Sequence, residues 1–274
     1  MRFAAFLIVS LCGGLLLYAT ADLPDWGDPN SPASTYLSPH YIEKAIEETE
    51  VPNLVTAVLA DYRSYDTMFE TVVVFCAGLA CLLLLRDYTR KKGSFYRHIP
   101  TGVVLHFKEN RRNPPKSQEF EHMDQEWVPY DLIMKTVCRI LIPFIQLYAL
   151  YVVAHGDFSP GGGFQGGVAF GASLILLAIS YNLRTVMRRI KERALGFLCV
   201  LGVLIYSGIG VLCMTAGGNF LDYSKLAVFL PVDPGHVRAL GMLGVEIGVG
   251  ITVMAVMVVI YVNIASEGRH DEGL

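Results

Sequence analysis

Charged residues are scarce in this sequence of 274 residues. Asp, Glu, Lys and Arg make up 17% of the chain, and its net charge is −3, whereas a soluble domain carries about 25% charged residues. This excludes a charge-rich disordered chain, and the lack of a basic excess excludes a nucleic-acid-binding protein. Hydrophobic residues reach 53% and gather into blocks too long for an ordinary core. The composition indicates an integral membrane protein.

Metal-ligand spacing is also missing. The six cysteines never form a CxxC or CxxH pattern, so we expect no iron–sulfur cluster, zinc site or other metal site in the chain. All six lie inside apolar blocks, which is typical of small core residues. The sequence contains no nucleophile–base pair and no nucleotide-binding loop, so we expect neither a catalytic site nor a cofactor.

Six apolar blocks are long enough to cross a membrane, because about 20 helical residues span the hydrocarbon layer. The sequence therefore predicts an all-α integral membrane protein of about six transmembrane helices. The first block also resembles a signal peptide, with Arg2 before it and small residues after it. We expect a retained helix, because the apolar run is long. The blocks lie at 3–20, 67–86, 133–154, 163–182, 195–215 and 238–264.

Basic residues are concentrated on one side of this arrangement. They fill the loop 86–132 and the loop after the fourth block, and Arg2 and Arg269 lie near the two termini. By the positive-inside rule we expect both termini in the cytoplasm, in a cell (inner) membrane. The polar stretch 93–130 has no apolar periodicity and predicts a cytoplasmic connector that can lie on a neighbouring polypeptide. The predicted domains are therefore 1–92 with two transmembrane helices, the connector 93–130, and 131–274 with four.

A first motif precedes the second apolar block. A short polar helix is predicted over 41–50, and Asn53 is placed to cap a second short segment, 54–60, at the membrane interface. The motif resembles the E-type subunit of membrane-bound hydrogenases, which also forms the C-terminal part of the large subunit of Mrp-type antiporters. Ser64 stands where that family has glycine. The motif reads Asn53-Leu-Val-Thr-Ala-Val-Leu-Ala-Asp61-Tyr-Arg63-Ser-Tyr-Asp66-Thr67-Met-Phe-Glu70.

A second motif joins the third and fourth blocks. It resembles the signature of the B-type (MnhB-like) subunit of Mrp antiporters, and a later run, Gly244-Val-Glu246-Ile-Gly248-Val-Gly250, resembles the last span of that family. The two resemblances together cover nearly the whole chain except the connector, as in a natural fusion of the two proteins. The second motif reads His155-Gly-Asp157-Phe-Ser-Pro-Gly-Gly-Gly163-Phe-Gln165-Gly-Gly167.

These resemblances imply a membrane subunit of a multisubunit cation/proton antiporter module within a respiratory-type complex. Na⁺ and H⁺ would be the transported ions, and the chain would contribute to their path and to packing between subunits. The implied partners are other Mrp-like subunits in the bilayer and a redox arm of the hydrogenase, formate, CO or sulfur type, with no nucleic acid. The alternative is a purely structural scaffold that conducts no ion.

Glu246 is the first ion-path candidate. It lies eight residues into the last predicted span, roughly 12 Å down a helix, where a charge costs about 3 kcal/mol by insertion scales. It must be protonated, paired, or facing water or another polypeptide. A structural hydrogen bond between helices is the alternative role.

Acidic residues of the first motif form a second group. Asp66 and Glu70 are four residues apart and share one helix face, and Arg63 is the expected partner of Asp61 or Asp66. A helix cap with a surface ion pair explains these residues equally well. The resemblance implies instead that the segment borders the ion path, with Glu70 as a protonatable group and Asp61 as a cation ligand.

The glycine-rich motif supplies the remaining candidates. His155, Asp157 and Gln165 are placed to line a hydrated entrance from the outer side, since His155 titrates near neutrality. Close helix packing is the competing explanation. It is indicated by glycines repeated four residues apart, which give a helix a flat face, and by the glycines that flank Glu246. The packing candidates are Gly163, Gly167, Gly171, Gly244 and Gly248.

Overall fold

The computed structural model describes residues 2–85, 94–101, 103–107, 119–123, 132–181, 183–230 and 232–266. Within these ranges six helices, α1, α4, α5, α6, α8 and α9, are long and apolar enough to cross a membrane. The predicted all-α membrane fold with six spans is confirmed. The helices are α1 (Arg2–Ala19), α2 (Ser38–Thr49), α3 (Leu54–Thr56), α4 (Ser64–Leu85), α5 (Leu132–Ala154), α6 (Gly163–Tyr181), α7 (Leu183–Arg189), α8 (Glu192–Thr215) and α9 (Pro234–Ala265).

Helix α9 is the centre of the bundle. It packs against α4, α6 and α8, and its Met242, Val245 and Val253 are almost fully buried. A short 3₁₀ helix, Tyr223–Val228, covers its outer end. The wide apolar surface of α9 follows from its sequence, in which apolar residues and glycines occupy all sides; a helix that is apolar all round is typically buried among others.

Two buried tyrosines fasten the chain's first half to this bundle. The hydroxyl of Tyr206 donates a hydrogen bond to the carbonyl of Ser64 (2.8 Å), and that of Tyr223 donates to the carbonyl of Ala60 (2.9 Å). Both rings lie in the core, so each hydroxyl needs a partner there. They fix the start of α4 against α8 and α9. Helix α1, in contrast, has no buried residue.

The chain between α1 and α4 follows the prediction in outline. Helix α2 ends at Thr49, where Glu50 adopts a left-handed conformation (φ 56°). Asn53 caps α3 as expected, its Oδ1 accepting from the Val55 amide at 3.1 Å. The helix continues as a wider π-helical turn, Ala57–Tyr62. We call residues 38–62 the capping segment.

The connector contains a small sheet that the sequence did not predict. Strands β1 (Ser94–His98), β2 (Val104–Phe107) and β3 (Phe120–Met123) pair antiparallel in the order β2-β1-β3. Tyr96 faces Leu105 on one side and His122 on the other. Aromatic and β-branched residues cluster in β1 and β2, which favours strands over an irregular connector.

Candidate functional site

The glycine-rich motif forms a tight hairpin, residues 155–162, between α5 and α6. Gly162 has φ 136°, a backbone conformation that residues with a side chain rarely adopt. Gly163 opens α6 directly against α9, since a Cβ placed there would overlap the carbonyl oxygen of Glu246. The hairpin therefore requires glycine at these positions both for its turn and for its contact with α9.

Glu246 reaches into this hairpin. Helix α9 begins at Pro234, earlier than the predicted start at 238, so Glu246 lies about 18 Å along the helix rather than 12 Å. A Cβ placed at Gly156 would stand 2.5 Å from Glu246 Oε2, and one at Gly162 would stand 2.9 Å from Oε1. The carboxylate thus occupies space that the glycines leave open. Among the described residues, its buried Oε2 has no hydrogen-bond partner.

Asp157 of the hairpin lies beside Glu246. Its Oδ1 is also buried without a hydrogen-bond partner in the described part of the chain. Burial raises the pKa of Asp157 above its ordinary value. The two carboxyl groups are close enough for their charges to repel each other. We call Glu246 and Asp157 the acid pair.

The capping segment closes over the acid pair. The Asn53 side chain donates to the carbonyls of Gly156 and Ser159, at 2.7 Å each, and Thr56 Oγ1 donates to the same Gly156 carbonyl at 2.8 Å. The Asn53 amide also donates to the carbonyl of Asp157 (3.0 Å). Asn53 therefore both caps α3 and clamps the hairpin, which ties the first predicted domain to the second.

Arg238 forms a second tie between the capping segment and α9. Its guanidinium makes a two-pronged ion pair with Asp61, with Nη2 2.7 Å from Oδ1, and donates to the carbonyl of Glu48 (2.9 Å). The Glu48 carboxylate accepts from the Tyr62 hydroxyl (2.5 Å), and this hydrogen bond lowers the pKa of Glu48. Sequence reasoning missed Arg238, because 177 residues separate it from Asp61.

The remaining acids of the first motif lie on the surface of α4. Arg63 pairs with Asp66 (Nη2–Oδ2 2.5 Å) and not with Asp61, and both side chains are more than half exposed. Glu70 is exposed and has no hydrogen bond or ion pair with any described residue. The motif is therefore divided, with Asp61 in the interior network and Asp66 and Glu70 facing outwards.

Two other hairpin candidates occupy its exposed side. The His155 ring is stacked on Tyr151, with ring centroids 4.0 Å apart, and its Nδ1 is 3.1 Å from the Tyr151 carbonyl. Gln165 is exposed, yet its Oε1 approaches to 3.5 Å the Cβ position of Gly162, which Glu246 Oε1 also approaches. The structure thus brings Gln165 to the acid pair and leaves His155 against Tyr151.

The glycine candidates lie at the closest helix contacts. A Cβ at Gly167 would stand 2.6 Å from the Gly250 carbonyl oxygen, and one at Gly171 would stand 3.3 Å from the Met254 carbonyl oxygen, so α6 lies against α9 along its glycine face. A Cβ at Gly248 would stand 2.8 Å from the carbonyl of Gly202 in α8, and one at Gly244 would stand 2.8 Å from Ile209 Cδ1. The structure places all five glycines at packed interfaces.

One group of side chains in the described residues has metal-ligand spacing. Possible ligand atoms of Glu50, Asp233 and His236 lie within 4.8 Å of one another, with His236 Nδ1 3.3 Å from Glu50 Oε2. All three residues are exposed. The sequence pattern around His236 is that of an ordinary interfacial histidine. The group holds the capping segment to the start of α9, and exposed groups of this kind are common without a metal.

Two family models match the chain. A domain related to the MnhB subunit of Na⁺/H⁺ antiporters matches residues 133–259, and the MbhE family, a component of MBH, matches residues 26–98. A Staphylococcus epidermidis protein, whose name makes it a putative mnhB2 antiporter subunit, is 30% identical over 141 residues, which cover 51% of this chain and 96% of that protein.

Other similarities extend over both halves. A Rhizobium meliloti protein, named as a probable K(+)/H(+) antiporter component of the A/B type, is 24% identical over 95% of this chain, which spans only 25% of that protein. A chain of the membrane-bound sulfane sulfur reductase, an archaeal respiratory membrane complex, has the same fold (TM-score 0.60, 23% identity) and is covered to 97%, with 96% of this chain aligned. The resemblance to two families in one chain is confirmed.

Proposed function

Because this chain belongs to the family of MnhB-related antiporter subunits and carries an MbhE segment before that domain, we propose that it is a membrane subunit of a multisubunit cation/proton antiporter. In this proposal it contributes carboxyl groups to the path of Na⁺ and H⁺. Hard cations prefer oxygen ligands, and protons compete for the same carboxylate oxygens.

The observation that carries the proposal is the acid pair. Glu246 Oε2 and Asp157 Oδ1 are buried, and neither has a hydrogen-bond partner among the described residues. Leaving a buried acid oxygen unsatisfied costs about 1–3 kcal/mol, and a purely structural role offers no return for that cost. A group that binds and releases an ion or proton must keep such an oxygen available.

The surroundings of the acid pair support ion handling from the outer side. Gln165 adds an amide oxygen next to Glu246, and the exposed His155 lies in the same hairpin. Asp61 is already paired with Arg238, so we propose that it positions the capping segment. Asp66 and Glu70 border the path on the surface of α4.

The wider setting is part of the proposal. We place the chain in the cell membrane with both termini in the cytoplasm, supported by the distribution of Lys and Arg. Other antiporter-type membrane subunits are its partners, and the likeness in fold to a chain of a respiratory complex supports a redox arm in the same assembly. Genes neighbouring this one would identify that arm.

The test of the proposal is Na⁺/H⁺ exchange by the assembled complex in sealed vesicles. We expect Glu246→Gln to lower the exchange rate at least ten-fold, because an amide neither takes up a proton nor carries a charge. The control is Glu47→Gln, since Glu47 is exposed and pairs only with Lys44 in the described structure; it should leave the rate unchanged. Full exchange by a normally assembled Glu246→Gln complex would refute the transport role.

A scaffold without ion conduction is the second candidate. The glycine contacts favour it, because α6, α8 and α9 lie within backbone contact at Gly167 and Gly248. In that case only substitutions at the glycines would matter, and they would act through loss of assembly. The two candidates differ in one outcome: a Glu246→Gln complex that assembles fully and does not exchange ions excludes the scaffold.

A further inference from the structure

Helix α4 presents an outward stripe with regular spacing. Its residues recur at intervals of four and three, so they line one edge of the helix, as do the contact positions of a left-handed helix pair. All six are exposed, with Val73 66% and Leu84 83% accessible. The stripe consists of Asp66, Glu70, Val73, Ala77, Ala80 and Leu84.

The acid at the upper part of this stripe has no partner in the described chain. Glu70 lies six residues into α4, about 9 Å along the helix axis, and its short side chain reaches less far than that of Lys or Arg. Arg63, the nearest basic residue in sequence, is engaged by Asp66. A carboxyl group at this depth is unfavourable against lipid and is stabilised by a polar partner.

Residue size differs between the two flanks of the exposed surface. Ala77 and Ala80 lie below Glu70 on the stripe, and small residues let another helix approach closely. The other flank carries Phe69, Leu79 and Leu83, which are 60%, 44% and 74% exposed. Large apolar side chains of that kind suit contact with lipid. The charge and the small residues therefore coincide on one side of α4.

We propose that this stripe is the docking face for a transmembrane helix of a different protein of the complex, which places a Lys, Arg or His side chain against Glu70. The charge of the stripe excludes a second copy of α4 as the occupant, because parallel pairing would bring two Glu70 side chains together. The inference rests on the proposed function only in that it requires a neighbouring membrane protein; it does not require that Glu70 carry ions.

The experiment uses the full complex with a photo-crosslinking amino acid at Ala77 or, as the matched control, at Leu79. These positions are at nearly the same depth and about 160° apart around the helix. We expect crosslinks from Ala77 to a transmembrane peptide of another protein in the complex that contains a Lys, Arg or His within two helical turns of the crosslinked residue. The yield from Leu79 should be at least five-fold lower.

Charge variants in the Ala77 background complete the test. Glu70→Lys should lower the crosslink yield at least five-fold by repelling the basic partner, whereas Glu70→Gln should lower it less than two-fold. Crosslinks only to lipid, to a second copy of this chain, or equally from Ala77 and Leu79 would each overturn the proposal. If the crosslinks appear as expected while Glu246→Gln exchanges ions normally, the proposed function fails and this interface stands.

Discussion

Individual side chains around the hairpin explain why the motif is rich in glycine. The Glu246 carboxylate fills the space where side chains at positions 156 and 162 would lie. Glycine here therefore provides room for an acid as well as freedom for the turn. Asn53 supplies the complementary half of the arrangement, since its amide group satisfies the hairpin carbonyls that face the capping segment.

The pKa of Asp157 leads to a prediction for the dependence of stability on pH. Burial raises this pKa in the folded protein, so ionisation of Asp157 favours unfolding. Its contribution to stability falls as pH rises from the ordinary aspartate pKa of about 3.9 to the higher folded-state pKa. We expect Asp157→Asn to gain thermal stability relative to the native chain as pH rises from about 4 to 7.

The measurement for Asp157 is the midpoint of thermal unfolding in detergent across that pH range. Asp25→Asn is the control, because Asp25 is exposed and its side chain makes no hydrogen bond or ion pair with the described residues. Its midpoint should run parallel to that of the native chain. A constant difference between Asp157→Asn and the native chain at all pH values would contradict the prediction.

Residues whose partners are close in sequence were predictable, and those with distant partners were not. The Asn53 cap follows from a bond two residues away. Glu246 was noticed because a carboxyl group stands out in an apolar block. Its position against the hairpin depends on how α5, α6 and α9 pack, and the pairing of Asp61 with Arg238 crosses most of the chain. Local pattern contains no information about either contact.

At the scale of helices, backbone contact between α6 and α9 determines the shape of the bundle. Gly163, Gly167 and Gly171 lie on one face of α6, and α9 meets them with the backbone of Glu246, Gly250 and Met254. Apolar side chains give little drive for association inside lipid, so close packing has to supply it. The same contact holds the acid pair in place.

A glycine substitution tests this contact. A Cβ at Gly167 would stand 2.6 Å from the Gly250 carbonyl oxygen and 2.9 Å from its Cα, so Gly167→Ala must push α6 away from α9. We expect a loss of about 1–3 kcal/mol in the free energy of unfolding, measured by denaturation in detergent.

The control for Gly167→Ala is Gly208→Ala in α8. No atom lies within 4 Å of a Cβ placed at Gly208. This substitution should be neutral or stabilise by up to about 1 kcal/mol, because alanine loses less conformational freedom in a helix than glycine. Equal effects of the two substitutions would show that the α6–α9 contact does not determine stability.

Element boundaries were predicted well inside the apolar blocks and less well outside them. The six spans appear in the predicted order, because length and hydropathy suffice to find them. Helix α9 starts early because Pro234 suits a first helical turn. The connector sheet and the short helix α7 were missed, since short polar segments have weak periodicity and are decided by tertiary contacts.

For the whole molecule, the main feature is the junction between the two family modules. The capping segment, from the MbhE part, covers the hairpin and the outer end of α9 from the MnhB part. Neither part alone would enclose the acid pair. Fusion in one chain keeps the cover and the buried acids together, while the cytoplasmic placement of the termini remains a prediction.

The most direct test of the acid pair is proton release on cation binding. Purified complex in a weakly buffered solution with a pH indicator is mixed with Na⁺, and the protons released per complex are counted. We predict that Glu246→Gln releases about one proton fewer than the native complex, because the native carboxyl group exchanges its proton for the cation. An unchanged proton count in a correctly assembled Glu246→Gln complex would contradict a role for the buried carboxyl group in ion exchange.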